Sequence, residues 1–424
     1  MTPDTRAADG ADPGFYGWKL LAVLGFCVAI NSGLVSYGAG VINAYMGAAL
    51  GLDRRTLGMM FSLLAITNGV AAPIIAVLIN RRGARFTLAL GSAAVMSGAA
   101  LMAFWVQSAW QALFAFGVIV ALGTGMGGVL TVQAALAAWF RRRAALATGI
   151  AMTASGLGGV IGAPAVSRAI ESAHGDWRAG WIAIGAMAIL SLAAAAAFVR
   201  NRPEDLGQSA DGLPQGPAAS APPDDWSFAE AIRARALWIV IGCSVAYVCA
   251  FFVFLAHAVP HLTDLGHSRA SAAAAVSVFT LSSLATRLLS GFVGDRIPTR
   301  ILWCGALVAM CAGIALLAHA GTPLRMYAAA VLFGGGYGAS LLSQFVIVAK
   351  YFGARAYASI FGLLAPITTA FSAVAPVAAG WSSDRGGSYA GAFHVLALLV
   401  LAAAAAILFA PPPARRRECL EKSA

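Results

Sequence analysis

Of the 28 Lys and Arg side chains, Arg287 stands apart, because it lies within an apolar run, Leu281 to Leu289, rather than in a loop. A charge at the centre of a bilayer costs about 2.5 to 3.5 kcal/mol even on the lenient insertion scale, so it needs a polar cavity or a partner. Two readings follow. An arginine bonded to backbone carbonyls, or to Asp295 eight positions on, is structural. One left open presents a planar fork that can hold the two oxygens of an anion. The apolar segments contain no Asp or Glu, which favours the second reading. His257, His261 and Asp264 fall at i, i+4 and i+7 and share a helical face. As a metal site the trio has suitable spacing, but Pro260 is expected to disturb the helix and no further ligand is evident. The histidines can instead be bonded to their neighbours, or accept a proton, since imidazole titrates near neutrality. His257 is the deeper and better placed acceptor, with His261 beside it. Further polar groups at membrane depth are Asn31, Tyr37, Asn43, Asn68, Gln133, Tyr247, Tyr337, Ser340 and Gln344. Each either lines a cavity or bonds between helices. The glycines 123, 125, 127 and 128, and 334, 335, 336 and 338, suit close helix packing more than solute contact.

The elements that must hold these residues follow from composition. Of 424 residues, 60% are apolar and 11% charged, less than half the charged share of soluble domains. Most of the surface must therefore face lipid. With about 20 residues per crossing, the apolar runs give twelve spans: 20–42, 56–79, 86–106, 111–138, 145–168, 178–199, 236–260, 272–294, 301–320, 325–349, 356–382 and 389–410. The expected fold is all-α and integral to the membrane, with two pseudo-symmetric six-helix bundles. The expected divisions are an N-terminal tail over 1–19, a bundle over 20–199, a linker over 200–235, a second bundle over 236–410 and a tail over 411–424. Within the linker, Gly212 to Pro223 reads as disordered, and the segment from Asp224 as a capped amphipathic helix on the membrane surface. The polar start, Met1 to Phe15, and the long first run argue for a retained helix rather than a signal peptide.

The net charge of +11 does not imply nucleic acid, because the arginines sit in short runs between apolar segments. Counted by side, 20 Lys and Arg fall with the termini and 7 opposite, which places both termini in the cytoplasm. The chain also repeats itself. Trp139-Phe140, Arg143 and Ala163-Pro164 return as Tyr351-Phe352, Arg355 and Ala375-Pro376, each 212 positions later. Two parallel six-helix repeats are the plan of a transporter whose site lies at midplane between the halves.

Four segments carry a family resemblance: Trp139 to Gly149, Asn201 to Gly207, His257 to Gly266, and Arg287 through Gly291 to Asp295-Arg296. With them the chain resembles the major facilitator superfamily, and within it the monocarboxylate transporter and oxalate/formate antiporter branch. The resemblance implies that Arg287 is the substrate-binding arginine of helix 8. It further implies that Ser283 stands where an acid is common, that Tyr37 takes the place of a helix-1 lysine, and that span 11 lacks the lysine of oxalate-exchanging relatives. One cation suits one carboxylate better than two. Gln133 and Tyr337 complete the expected substrate site. The loop residues Arg81, Arg85, Arg143, Gly291, Asp295, Arg296 and Arg355 are the expected conformational latches. Ala76 and Asn80 depart from the pattern and weaken the first latch.

The leading reading is a secondary transporter of a small carboxylate, coupled to protons or a counter-anion. The expected protein is a monomer of a bacterial inner membrane, with no cofactor. Anion exchange, or efflux of another solute with Arg287 structural, are the alternatives. A sensor would need a soluble domain. An enzyme would need an assembled nucleophile and base. No nucleotide-cradling sequence supports ATP drive.

Overall fold

The computed structural model describes residues 14–52, 54–212, 226–386 and 388–413. They are helical throughout, with no strand among them. In lipid a backbone must satisfy its own hydrogen bonds, and helices do so within one segment. Ten helical runs are long and apolar enough to cross a membrane. Two of them, Thr56–Phe104 with 49 residues and Pro323–Ser382 with 60, exceed about 70 Å at the α-helical rise, more than twice a bilayer core. Each is broken once by a glycine in the left-handed region, Gly83 at φ 81° and Gly353 at φ 72°. Each therefore holds two crossings, and the ten runs make the twelve expected spans. A side chain at Gly83 would also run into the Asn201 carboxamide.

The chain divides into two compact units, 1–225 with 353–365, and 226–352 with 366–424. In the first unit, Leu34, Val95, Phe116, Trp181 and Ile184 belong to one apolar core and Leu24, Leu88, Trp139 and Ala151 to another. Large apolar side chains such as Ile74, Val160, Val377 and Leu398 are exposed.

The sequence repeat has a physical counterpart in each unit. The Trp139 indole donates to the Arg200 carbonyl at the end of span 6 (3.2 Å), and the Tyr351 hydroxyl donates to the Ala410 carbonyl at the end of span 12 (2.8 Å). The next residue packs on an aromatic that precedes the unit's first span. Phe140 lies 5.6 Å from Phe15, and Phe352 lies 5.8 Å from Trp226. The repeated aromatic pair thus ties the fourth helix of each unit to its first and last.

The central connection is built, not merely tethered, up to residue 212. Asn201 accepts from the Arg85 backbone (2.9 Å), and Gln208 holds both the Tyr16 amide and the Gly14 carbonyl (3.0 Å each). The Asp211 carboxylate accepts from the amides of Arg141 (3.0 Å), Arg142 (2.8 Å) and Arg143 (3.4 Å). The stretch expected to be disordered lies, apart from Gly212, outside the described residues. Beyond it the expected surface helix is a single turn, Phe228–Ala231. Ser227 caps it with Glu230, and its neighbour Trp226 is buried against Phe352 rather than laid on the surface.

Candidate functional site

Arg287 lies on helix Arg269–Val293, which packs on helix Pro323–Gly386 through glycines. A Cβ at Gly334 would come within 2.2 Å of the Phe279 carbonyl, and one at Gly338 within 2.2 Å of the Ser283 carbonyl. These glycines therefore serve packing. The close approach sets the Arg287 guanidinium carbon 5.9 Å from the centre of the Tyr337 ring. Its Nε is buried without a hydrogen-bond partner. The structural alternative required a carbonyl or Asp295. Asp295 is instead 3.7 Å from the Lys350 ammonium, which also donates to the Gly294 carbonyl (3.2 Å).

One turn before Arg287, the Ser283 hydroxyl is also buried and unpartnered, as are those of Ser340 and Ser343 on the facing helix. Tyr337 stacks on Phe251 (4.3 Å, 11°) and lies 5.8 Å from both Phe279 and Tyr247. The Tyr247 hydroxyl donates to Gln344. The second unit therefore brings Arg287, Ser283 and Tyr337 together, beside an aromatic shelf. Such a shelf can hold a flat apolar group while the guanidinium and hydroxyls donate to an anion. Phe251 and Phe279 escaped the sequence reading because a phenylalanine in an apolar helix carries no local mark of what it stacks on.

The other expected substrate residues belong to the first unit. Tyr37 is 54% exposed and runs along Gly159, where a Cβ would meet its ring. Gln133 is buried and accepts from the Thr148 hydroxyl (3.0 Å), while its Nε2 has no partner. Asn31 is a helix-bonding residue, with its Nδ2 in hydrogen-bond range of Ser92 (2.9 Å), the Gly127 carbonyl (3.1 Å) and Ser191 (3.1 Å).

Helix Arg235–Asp264 runs through Pro260 without ending there, contrary to the expected disturbance, because neighbouring helices can re-satisfy a freed carbonyl. His257 and His261 nevertheless do not converge. His257 Nε2 donates to the Pro376 carbonyl (2.9 Å), and His261 Nε2 to the Leu317 carbonyl (2.9 Å). His261 is buried against Phe393, whereas His257 is only partly covered, beside Tyr389. With Nε2 committed as a donor, Nδ1 of His257 is the atom able to take a proton.

Of the loop residues, Arg85 donates to the Ala196 carbonyl, and Arg143 lies 5.6 Å over the Trp18 ring. Asn80, expected to weaken the first latch, donates to Ser359 (2.7 Å) within the first unit. Gly291 is buried, and Arg81, Arg296 and Arg355 are exposed.

The chain matches the profile of the Major Facilitator Superfamily over residues 21–365 and 255–423. It is 25% identical over 427 residues to monocarboxylate transporter 12 of Rattus norvegicus, covering 93% of this chain and 85% of that protein. With monocarboxylate transporter 13 of Bos taurus it shares 24% over 393 residues, covering 92% and 88%. The Escherichia coli fucose:proton symporter FucP superposes with a TM-score of 0.73 at 15% identity, over 94% of this chain and 100% of that one, a likeness of fold alone. The chain is a member of the Major Facilitator Superfamily, a multi-pass membrane transporter related by sequence to the monocarboxylate branch.

Proposed function

We propose that this transporter moves a small monocarboxylate by alternating access, with Arg287 as the group that holds the carboxylate. The observation that carries this reading is the buried, unpartnered Nε of Arg287 beside Tyr337, while the nearby acid Asp295 is engaged by Lys350. A desolvated guanidinium is costly, and an entering carboxylate offsets that cost with two charge-assisted bonds. The Ser283 hydroxyl, one turn away, is a further donor to the same anion. Tyr337 and Phe251 offer a face for the substrate's apolar part. Tyr37 and Gln133 are proposed as the first unit's contributions. Coupling is to protons through Nδ1 of His257, with His261 in support. Gly291, Asp295, Arg296, Arg81, Arg85, Arg143 and Arg355 act as latches in the conformational cycle. The protein is proposed to work as a monomer in a bacterial inner membrane with both termini cytoplasmic, as a carrier without a cofactor.

Uptake of labelled mono- and dicarboxylates into proteoliposomes, with and without a pH gradient, tests the reading. Monocarboxylates should accumulate when the proton gradient points inward. Arg287→Ala protein of normal thermal stability should lose saturable uptake. Unaltered affinity in that variant would overturn the role of Arg287. Uptake that ignores the gradient and requires internal anion would identify an exchanger.

A further inference from the structure

Five of the six histidines lie in the second half of the chain, and three of them mark one end of helix Thr299–Ala318. His261 and His267 are each spent there as donors, to the carbonyls of Leu317 (2.9 Å) and Ala320 (2.6 Å). His319, which closes that helix, is different. It faces His394 in the first turns of helix Ala390–Leu408, with the two Nε2 atoms 3.1 Å apart and the ring centres 5.0 Å apart. Both rings are exposed, and they stand 75 positions apart in sequence. The Cys311 thiol, 3.3 Å from the Ala397 carbonyl, shows that the two helices are packed on each other below the pair. Their backbones are therefore held side by side at this end.

We propose that His319 and His394 form a binding site for a transition-metal dication of the zinc class. An imidazole nitrogen bonds zinc at about 2.0 to 2.1 Å, so two such nitrogens on one ion lie roughly 2.9 to 3.4 Å apart for octahedral to tetrahedral angles. The observed 3.1 Å falls in that interval. In the hydrogen-bonded pair one Nε2 carries a proton. Metal binding needs the lone pair of both, and that proton moves to Nδ1 of the same ring. Exposure leaves room for the waters that fill the remaining positions. Imidazole selects zinc, nickel or copper over magnesium and calcium, which prefer oxygen. Among the described residues no group of three or more His, Cys, Asp and Glu is gathered for a metal. The site therefore has two protein donors and exchanges its ion readily. A bound ion would cross-link the ends of spans 9 and 12, and so stabilise the second unit independently of the carboxylate site.

The test is titration of the full-length protein in detergent, without a histidine tag, with zinc chloride in the presence of magnesium. Calorimetry gives the stoichiometry, and the thermal unfolding midpoint gives the stabilisation. One zinc per chain is expected, with a raised midpoint. His319→Ala and His394→Ala should each weaken binding by about a hundredfold, because the chelate is lost. His174→Ala and His267→Ala should bind zinc normally. His319→Gln keeps a side chain able to hydrogen-bond His394 but cannot chelate, so it should behave as His319→Ala. The absence of saturable zinc binding in the unaltered protein, or unchanged affinity in the position 319 and 394 variants, would overturn the site and leave a hydrogen-bonded pair only.

Discussion

Arg287 meets a ring rather than a carboxylate, and that contact decides how its variants should behave. The Tyr337 face, 5.9 Å from the guanidinium carbon, offers cation–π attraction but accepts no hydrogen bond from Nε. Arg287→Lys preserves the charge and loses the fork. Losing one charge-assisted bond, worth about 1.5 to 3 kcal/mol, should raise the half-saturation concentration roughly ten- to hundredfold with little change in thermal stability. Initial-rate uptake measures it. His257→Gln tests coupling. Gln can replace the Nε2 donor to the Pro376 carbonyl, but it cannot be protonated at neutral pH. It should flatten the dependence of uptake on external pH and spare exchange of substrate for substrate. Proton-driven accumulation at the unaltered level would assign coupling to another group. Arg287 was legible because a charge inside an apolar run is conspicuous, whereas Phe251 and Phe279, which stack on Tyr337, resemble every other phenylalanine of a membrane helix.

Helix contacts here depend on missing side chains. Gly338→Ala would push a methyl group against the Ser283 carbonyl (2.2 Å) and the Thr286 hydroxyl (2.6 Å), and backbone cannot yield cheaply. A loss of about 1 to 3 kcal/mol is expected, seen as a lowered unfolding midpoint together with weakened substrate affinity, since Ser283 and Arg287 share the displaced helix. Gly335→Ala is the control. Its methyl group would meet only the side chains of Ser282 and Thr286, at 3.2 and 3.3 Å, and should be tolerated. Equal losses in both variants would mean that the glycines act by some other route than packing. The repeat also shows where the two units diverge. Helix Val129–Trp139 ends at a turn whose amides are taken by Asp211, whereas the corresponding stretch after Phe352 stays helical and bends at Gly353. Sequence alignment of the halves marked the aromatic pair but not this difference, because Asp211 lies some 70 residues from the amides it binds.

At the scale of the whole molecule, orientation rests on the 20 to 7 partition of Lys and Arg. In a background without native cysteines, Arg54→Cys should react with an impermeant thiol reagent in intact cells and Arg142→Cys should not. The opposite pattern would invert the topology and place the His319 and His394 pair on the cytoplasmic side. The same experiment bears on Arg143 and Arg355, proposed as latches, which the partition assigns to the cytoplasmic face.

Composition and the lengths of the apolar runs determined that this chain crosses a membrane about twelve times, because lipid tolerates few charges and a fixed helix length spans it. The repeat of aromatic and arginine positions identified equivalent helices, and Arg287 declared itself through its isolation. Tertiary structure decided the rest. It engaged Asp295 with Lys350, leaving Arg287 beside Tyr337, and it sent His257 and His261 to different carbonyls although one helical face carries both. It also set His319 against His394 across 75 residues. Periodicity reports which face a side chain shares on its own helix. What a side chain meets depends on the neighbouring helix, and that is settled by long-range packing of small residues that no local pattern encodes.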